Sequence, residues 1–538
     1  MGNSLIQSSL EWLQGHYILA SAALILVYTL HQTIYLRLIA SPLRQVPGPK
    51  SFGLTKWRLA LADWQGTRTT LIHDLHTRYG TAVRIGPNEV SFSSLSALRT
   101  IYGAGAGFER TDFYRMFDVY GRQNLFTFGS AKAHGDRKKV LAHDYSKSAI
   151  LAPGGVAKKV VETNVQGFLE MLERERGVVE EVFKSLHWYS LDSITGFLYG
   201  DIGGTRALQS DGRSRALLDD IVDPGRRALT WFAVHLNWYT KCIYSKSGIP
   251  EKFVTKLGLL PMHKPTTYTG IRAHALNAWR AFEAAPHDLK LAQEKTPMGR
   301  LWRYQESEKL PKLDGLDCAS ELADHFLAGI DTTSDTLMFL VWALSLPKNR
   351  QYQENLIKEV DQIAESECNS EGNPTVEAVA NLPYLDAIIK ETLRLYAPLP
   401  ASEPRSFPRD TVVDGYQIPA GTVVSMSPYT LHRNAEVFPD PLEFRPERWL
   451  GECGDLTEMK KWFWAFSSGG RMCIGMHLAM AEMTTLIAAV YRRYTTIVGA
   501  RQMGASPGIT SRHEIFGDET CDHVKEHTCW IDFNPREN

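Results

Sequence analysis

The sequence predicts a mainly α-helical fold with a small β region, one large domain behind an N-terminal apolar helix. Helical periodicity dominates from Pro153 to Tyr396, and its longest stretch, Asp314 to Leu346, is nearly continuous in apolar residues, opens on acids and stops at Pro347. Short strand patterns appear near Ala82 to Phe92 and in a hairpin-like stretch from Thr411 to Ser427. An apolar run from Tyr17 to Ala40 precedes the whole body.

That run is read as a membrane anchor, residues 1–40, with its helix at about 17–40. As a helix it reaches roughly 36 Å against a hydrocarbon core of about 30 Å, and Arg37 can snorkel. No Lys or Arg precedes Arg37, which argues against a cleaved signal peptide. Arg37, Arg44, Lys50, Lys56 and Arg58 follow it and place the body on the cytosolic side. An interfacial helix is the alternative. Pro42, Pro47, Gly48 and Pro49 stiffen a hinge, residues 41–52, and residues 53–538 form the large body.

Composition fits a large body on a short anchor. The chain has 538 residues, is 44% hydrophobic and 22% charged, and carries a net charge of −1, which suggests no nucleic-acid partner. Cys242, Cys318, Cys368, Cys453, Cys473, Cys521 and Cys529 are scattered and odd in number, which argues for a reducing compartment over a disulfide framework. Cys521 and Cys529 with His523 and His527 match no zinc spacing. The run Gly103-Ala104-Gly105-Ala106-Gly107 reads as a flexible turn, since the strand and helix of a nucleotide loop are not evident around it.

Aromatic residues crowd Phe108 to Phe128 and Trp231 to Tyr244. Such residues are more often core than contact, and Phe113, Phe117, Phe126 and Trp238 are the candidates for touching an apolar ligand. Within the long helix lies Ala328-Gly329-Ile330-Asp331-Thr332-Thr333. Gly inside a helix costs about 1 kcal/mol relative to Ala, so room for a flat group is the expected gain at Ala328 and Gly329. The Thr332 hydroxyl can bond a neighbouring helix carbonyl. In the periodic segment Tyr384 to Tyr396, Glu391 and Arg394 share one helix face.

Phe466 to Gly475 reads F-S-S-G-G-R-M-C-I-G and puts Cys473 ahead of the apolar helical pattern from Ile474 to Tyr494. A sulfur there sees unpaired backbone N–H groups and the positive end of the helix dipole, which favour a thiolate. Arg471 adds a fixed charge, Gly469 and Gly475 allow a sharp turn, and Phe466 covers the sulfur from water.

These residues resemble the haem-binding signature of the cytochrome P-450 family, F-x-x-G-x-R-x-C-x-G, at every fixed position. Ala465-Phe466-Ser467 departs from the family's frequent Pro-Phe-Gly. The stretch from Ala328 to Thr333 resembles the family's A-G-x-D-T-T, and Glu391, Arg394 and Arg448 resemble its buried Glu-Arg-Arg triad, with Trp449 in place of the usual Phe, a change of size. The resemblance implies that Cys473 is the axial ligand of the iron of haem b. It implies that Asp331 and Thr332 deliver protons to dioxygen, and that the triad pins the cysteine loop. His134 and Lys138 match the positions of the family's W-x-x-x-R, and Arg405 matches the arginine after the E-x-x-R helix. With Arg471 these would hold the haem propionates.

The activity so implied is insertion of one atom of dioxygen into a hydrophobic small molecule. A secondary metabolite such as a polyketide, terpenoid or alkaloid is the expected substrate, as in fungal members that the chain resembles. Electrons are expected from NADPH through a separate reductase, because the chain has no length for a flavin domain. Arg137, Lys138, Lys139, Lys460 and Lys461 are its candidate contacts. The expected location is the endoplasmic reticulum membrane, single-pass, with a cytosolic body. A haem-thiolate isomerase or dehydratase, a sterol or fatty-acid hydroxylase, and a haem sensor are the alternatives; Asp331 and Thr332 argue against the isomerase.

Overall fold

The structure is a computed structural model. It describes residues 2–175, 181–219, 224–244, 270–307, 312–500 and 528–537, with 249, 253, 256–258 and 506 between them. Cys521, His523 and His527 lie outside the described residues. The helices that position the site are α1 (Gly2–Leu30), α2 (Trp57–Trp64), α3 (Ala131–Leu141), α4 (Val156–Arg174), α5 (Val182–Gly203), α6 (Pro224–His235), α7 (Gly270–Ala284), α8 (Gly315–Ser345), α9 (Pro383–Leu395) and α10 (Met476–Arg493). The strands are β1 (Ala82–Gly86), β2 (Glu89–Phe92), β3 (Glu109–Arg110), β4 (Arg405–Ser406), β5 (Thr411–Val413), β6 (Tyr416–Ile418), β7 (Val423–Ser425), β8 (Tyr494–Val498) and β9 (Ile531–Pro535).

Helix α8 is the axis of the body and packs against α5, α7, α9 and α10. Its start is set by a reciprocal capping box: the Asp317 N–H donates to Asp314 Oδ1 at 2.8 Å and the Asp314 N–H to Asp317 Oδ2 at 2.9 Å. Phe326, Ile330, Leu337, Phe339 and Leu344 of α8 join Ile194, Trp279, Leu393 and Leu486 in the main core. A Cβ on Gly329 would lie 2.4 Å from Ile194 Cγ1. The room that Gly329 makes is therefore filled by α5. In the Cβ direction the space beside Gly329 is Ile194's.

The main sheet runs β1-β2-β7-β4-β3, with β2 and β7 parallel. The hairpin-like stretch resolves into two destinations. β5 and β6 pair across Asp414 and Gly415, both at positive φ, while β7 leaves to join β2 and β4. The pairing of β3 with β4 brings Arg110 opposite Arg405.

Among the described residues, one helical segment, His16–Ile39, is long and apolar enough to cross a membrane, and it is 0% buried. Its helix begins well before Tyr17, at Gly2. The Pro-rich stretch after it is docked rather than loose. Leu43 and Val46 are buried with Phe92 and Ile101, and the Arg84 N–H donates to Pro47 O at 2.7 Å.

Candidate functional site

The loop before α10 is closed by the Cys473 N–H donating to Phe466 O at 2.9 Å. Two residues carry its turn. Ser467, at φ +58°, holds the left-handed conformation that glycine adopts more cheaply, and its hydroxyl donates to Glu403 Oε2 at 3.2 Å. Gly469, at φ +62°, passes so close to the neighbouring chain that a Cβ would lie 2.3 Å from Tyr102 O. Gly475 has an ordinary φ of −80°, so the turn does not need it; a Cβ there would lie 3.9 Å from the Cys473 sulfur.

Helix α10 starts at Met476, so Cys473 sits in the turn before it, with the N–H groups of Gly475 and Met476 directed at the sulfur. Cys473 is exposed, yet burial is the largest influence on its thiol and pushes its pKa up. Both hold for a sulfur that lies deep in the molecule and opens on an internal void. The Gly475 N–H, Lys138 and the Met476 N–H pull the other way. The cation that acts on the sulfur is thus Lys138. Arg471, expected in that role, turns its fork to Phe128 O at 2.6 Å and Gly129 O at 2.7 Å.

The loop is held from behind. Glu391, Arg394 and Arg448 are fully buried. Arg394 donates to both Glu391 oxygens, at 2.9 and 2.8 Å, and Arg448 Nε donates to Oε1 at 3.0 Å. Trp449 Nε1 donates to Oε2 at 3.0 Å. Trp449 therefore adds a hydrogen bond as well as size, which corrects the sequence expectation. The His432 ring links this network to the cysteine loop: Nδ1 donates to Arg394 O at 3.1 Å, and Nε2 accepts the Trp464 N–H at 2.8 Å. Burial, then Arg394, push the His432 pKa down to about 3, so the ring is neutral and its tautomer is set by those two partners.

The second feature lies on α8, which packs against α10. Residues 318–323 and 333–345 are buried, but between them Asp324, Leu327, Gly329, Asp331 and Thr332 are half-buried and Ala328 is exposed. Residues 324, 328 and 331 or 332 fall on one helix face. An open stripe between buried flanks faces an interior space. The Thr332 hydroxyl donates to Ala328 O at 2.6 Å, and α8 remains continuous there.

At the edge of this space four cations gather round His134: Arg471, Arg110, Lys138 and Arg405. Burial first, then these four, push the His134 pKa down to about 2. Burial and the neighbouring Arg110 and Arg405 lower Arg471 to about 9. Lys138 Nζ donates to Gly470 O at 3.1 Å and Met472 O at 3.0 Å, fastening α3 to the cysteine loop. Glu403 Oε2, 3.4 Å from Arg405, is the carboxylate paired within the group. Arg405 Nη1 and Arg110 Nε are buried without a hydrogen-bond partner.

Excess buried positive charge with orphaned donors calls for an anionic guest. A thiol on an internal void and an open stripe on the facing helix call for a flat one. The residues present fit a haem with its two propionates.

Arg110 and Glu403 were not legible from local pattern. Arg110 reaches Arg405 only through β3 and β4, and its guanidinium lies over Phe126 and Tyr114 at 4.6 and 4.7 Å from the ring centroids. Phe113, Phe117 and Phe126 are half-buried and form an edge-to-face cluster with Tyr114. Trp238 is 71% exposed, on the outer surface. Arg137 is withdrawn from any docking face, because it is buried against Glu321.

The family model for cytochrome P-450 matches residues 288–506, which contain α8, the triad and the cysteine loop. The chain is similar to cytochrome P-450 monooxygenase aflV of Aspergillus parasiticus, 29% identical over 84% of this chain and 85% of the relative. It is 28% identical to cytochrome P-450 monooxygenase tazI of Aspergillus terreus over 96% of this chain and 99% of the relative. It is also 28% identical to benzoate 4-monooxygenase bphA of Aspergillus niger, over 88% and 91%.

Proposed function

The chain belongs to the cytochrome P-450 family of haem monooxygenases, and from that premise we propose that it oxygenates a hydrophobic secondary metabolite with NADPH electrons from a separate reductase. The observation that carries the site assignment is an exposed Cys473 beside a group of cations that outnumber their one paired carboxylate, Glu403, with orphaned donors on Arg110 and Arg405. When bound, the haem supplies dioxygen activation: one oxygen atom enters the substrate and the other leaves as water, using two electrons and two protons.

The chain's own residues do the rest. Cys473 would hold the iron through its sulfur, and the Gly475 and Met476 N–H groups with Lys138 favour the thiolate form against the burial that opposes it. Arg110, His134, Lys138, Arg405 and Arg471 hold the propionates, with Lys138 also fixing the loop that carries Cys473. Phe466 shields the sulfur. Asp331 and Thr332, half-buried on the stripe, hold and pass protons; the Thr332 hydroxyl donates to Ala328 O and leaves its oxygen to accept from water in the cavity. The acid and threonine favour oxygenation over isomerase chemistry, which needs no proton delivery.

His16–Ile39 anchors the chain once in the endoplasmic reticulum membrane, with the body cytosolic. Its full exposure supports this, as do Trp57, Leu61 and Trp64 exposed on α2. Lys139, Lys460 and Lys461, exposed on the body, are the remaining lysines for reductase docking. The test is reconstitution with a reductase in vesicles. Thr332→Ala and Asp331→Asn should divert NADPH electrons to peroxide, and unchanged coupling in both variants contradicts the reading. Turnover should fall as ionic strength rises; a flat response contradicts electrostatic docking.

A further inference from the structure

Asp324 opens the stripe on α8, one turn before Ala328 and two before Thr332. It is half-buried, between buried neighbours Ala323 and His325, and no ion pair reaches it among the described residues. Glu321, Asp324 and His325 bring one ligand atom each within 4.8 Å of one another. That trio is not an open cation site, because Glu321 is already taken. Its carboxylate accepts from Arg137 Nη1 and from the Leu125 N–H at 3.0 Å, with His325 Nε2 3.4 Å away. His325 is in turn bonded to the Tyr145 hydroxyl at 2.7 Å.

Two carboxyls this close do not both ionise, and the one with the arginine keeps its charge. Asp324 faces Glu321 and His325 on its own helix and Arg110 from β3, and the Phe126 N–H is directed at its carboxyl. Phe126 belongs to the aromatic cluster, so the acid lies beside a wall suited to flat rings.

Building on the proposed function, we infer that Asp324 is a specificity-determining residue that donates a hydrogen bond from its neutral carboxyl to a carbonyl oxygen of an aromatic substrate. Burial, opposed by His325 and reinforced by Glu321, raises its pKa to about 7, in accord with that geometry. The sign follows. Below about pH 7 the acid carries its proton and donates; above it the carboxylate repels a carbonyl oxygen.

The test compares two flat tricyclic probes, xanthone, which has the carbonyl, and xanthene, which lacks it. Their affinities are read from the visible spectral shift of the ferric holoenzyme. Wild type should prefer xanthone by about tenfold at pH 6 and lose that preference by pH 8.5. Asp324→Asn, which donates at any pH, should keep the preference at both. Asp324→Leu should lack it at both. A preference in wild type that does not change with pH, or that rises with pH as a carboxylate gripping a cation would give, overturns the inference. So does an Asp324→Asn profile that follows wild type, a comparison that stands even if the leucine variant does not fold. Both probes shifting the spectrum equally overturns this inference alone, whereas a reduced carbonyl complex of imidazole type overturns the haem-thiolate reading beneath it.

Discussion

Trp449 Nε1 donates to Glu391 Oε2 at 3.0 Å, while Arg394, Arg448 and the Arg445 N–H occupy the rest of the same carboxylate. A buried charge is tolerable only when its hydrogen-bonding capacity is met, and here the indole meets part of it. Trp449→Phe should therefore cost about 2 kcal/mol, the range of a hydrogen bond to a charged group. Thermal unfolding of the holoprotein checks this, and a change within error would reduce the indole to filler. Glu391→Gln, which leaves two buried guanidiniums facing a neutral amide, should cost about 3 to 5 kcal/mol and yield protein without haem.

Gly329 and Ile194 form a steric pair. A Cβ at Gly329 would lie 2.4 Å from Cγ1 and 2.7 Å from Cδ1 of Ile194. Gly329→Ala should destabilise by about 1 to 3 kcal/mol despite the better helix propensity of alanine. The double variant with Ile194→Ala should recover most of that loss. Failure of this rescue in a double-mutant cycle would place the glycine's role elsewhere.

Glu482 of α10 is buried, bonded to Thr333 of α8, and burial raises its pKa to about 8. The folded state therefore keeps a proton that the unfolded state releases near pH 4.5. Wild type loses stability as pH rises from about 4.5 to 8, at up to about 1.4 kcal/mol per pH unit from this group. Glu482→Gln escapes that loss, so its stability relative to wild type should grow across the same window. A difference that is flat with pH between 5 and 8 would mean the acid is ionised in the fold.

Lys138 ties α3 to the carbonyls of Gly470 and Met472 and adds charge beside the cavity. Lys138→Met should release haem to apomyoglobin at least several-fold faster than wild type. Lys138→Arg, which keeps the charge, should fall between them. Equal release from all three would remove Lys138 from the haem site.

Much of this was readable along the chain because it is local. The acidic start of the long helix at Asp314, the Glu391 and Arg394 spacing, and the ten residues closing on Cys473 each lie within a few turns. What escaped depends on pairing across the sheet or between helices. Arg110 meets Arg405 through two-residue strands too short to carry a period. The turn of Arg471 away from the sulfur, and Lys138 toward it, follow from where α3 crosses the loop. Glu321, Asp324 and His325 did leave a trace, an i, i+3, i+4 set of ionisable residues in an apolar helix. Their meaning required Arg137 and the backbone of Leu125 and Phe126.

Cys473 as thiolate ligand is the assignment on which all the rest depends. The most direct measurement is the carbon monoxide difference spectrum of the reduced full-length protein, beside Cys473→Ser. The account predicts a thiolate-type band in wild type and its loss in the variant. An imidazole-type band in wild type, or a thiolate band that survives in Cys473→Ser, would contradict it.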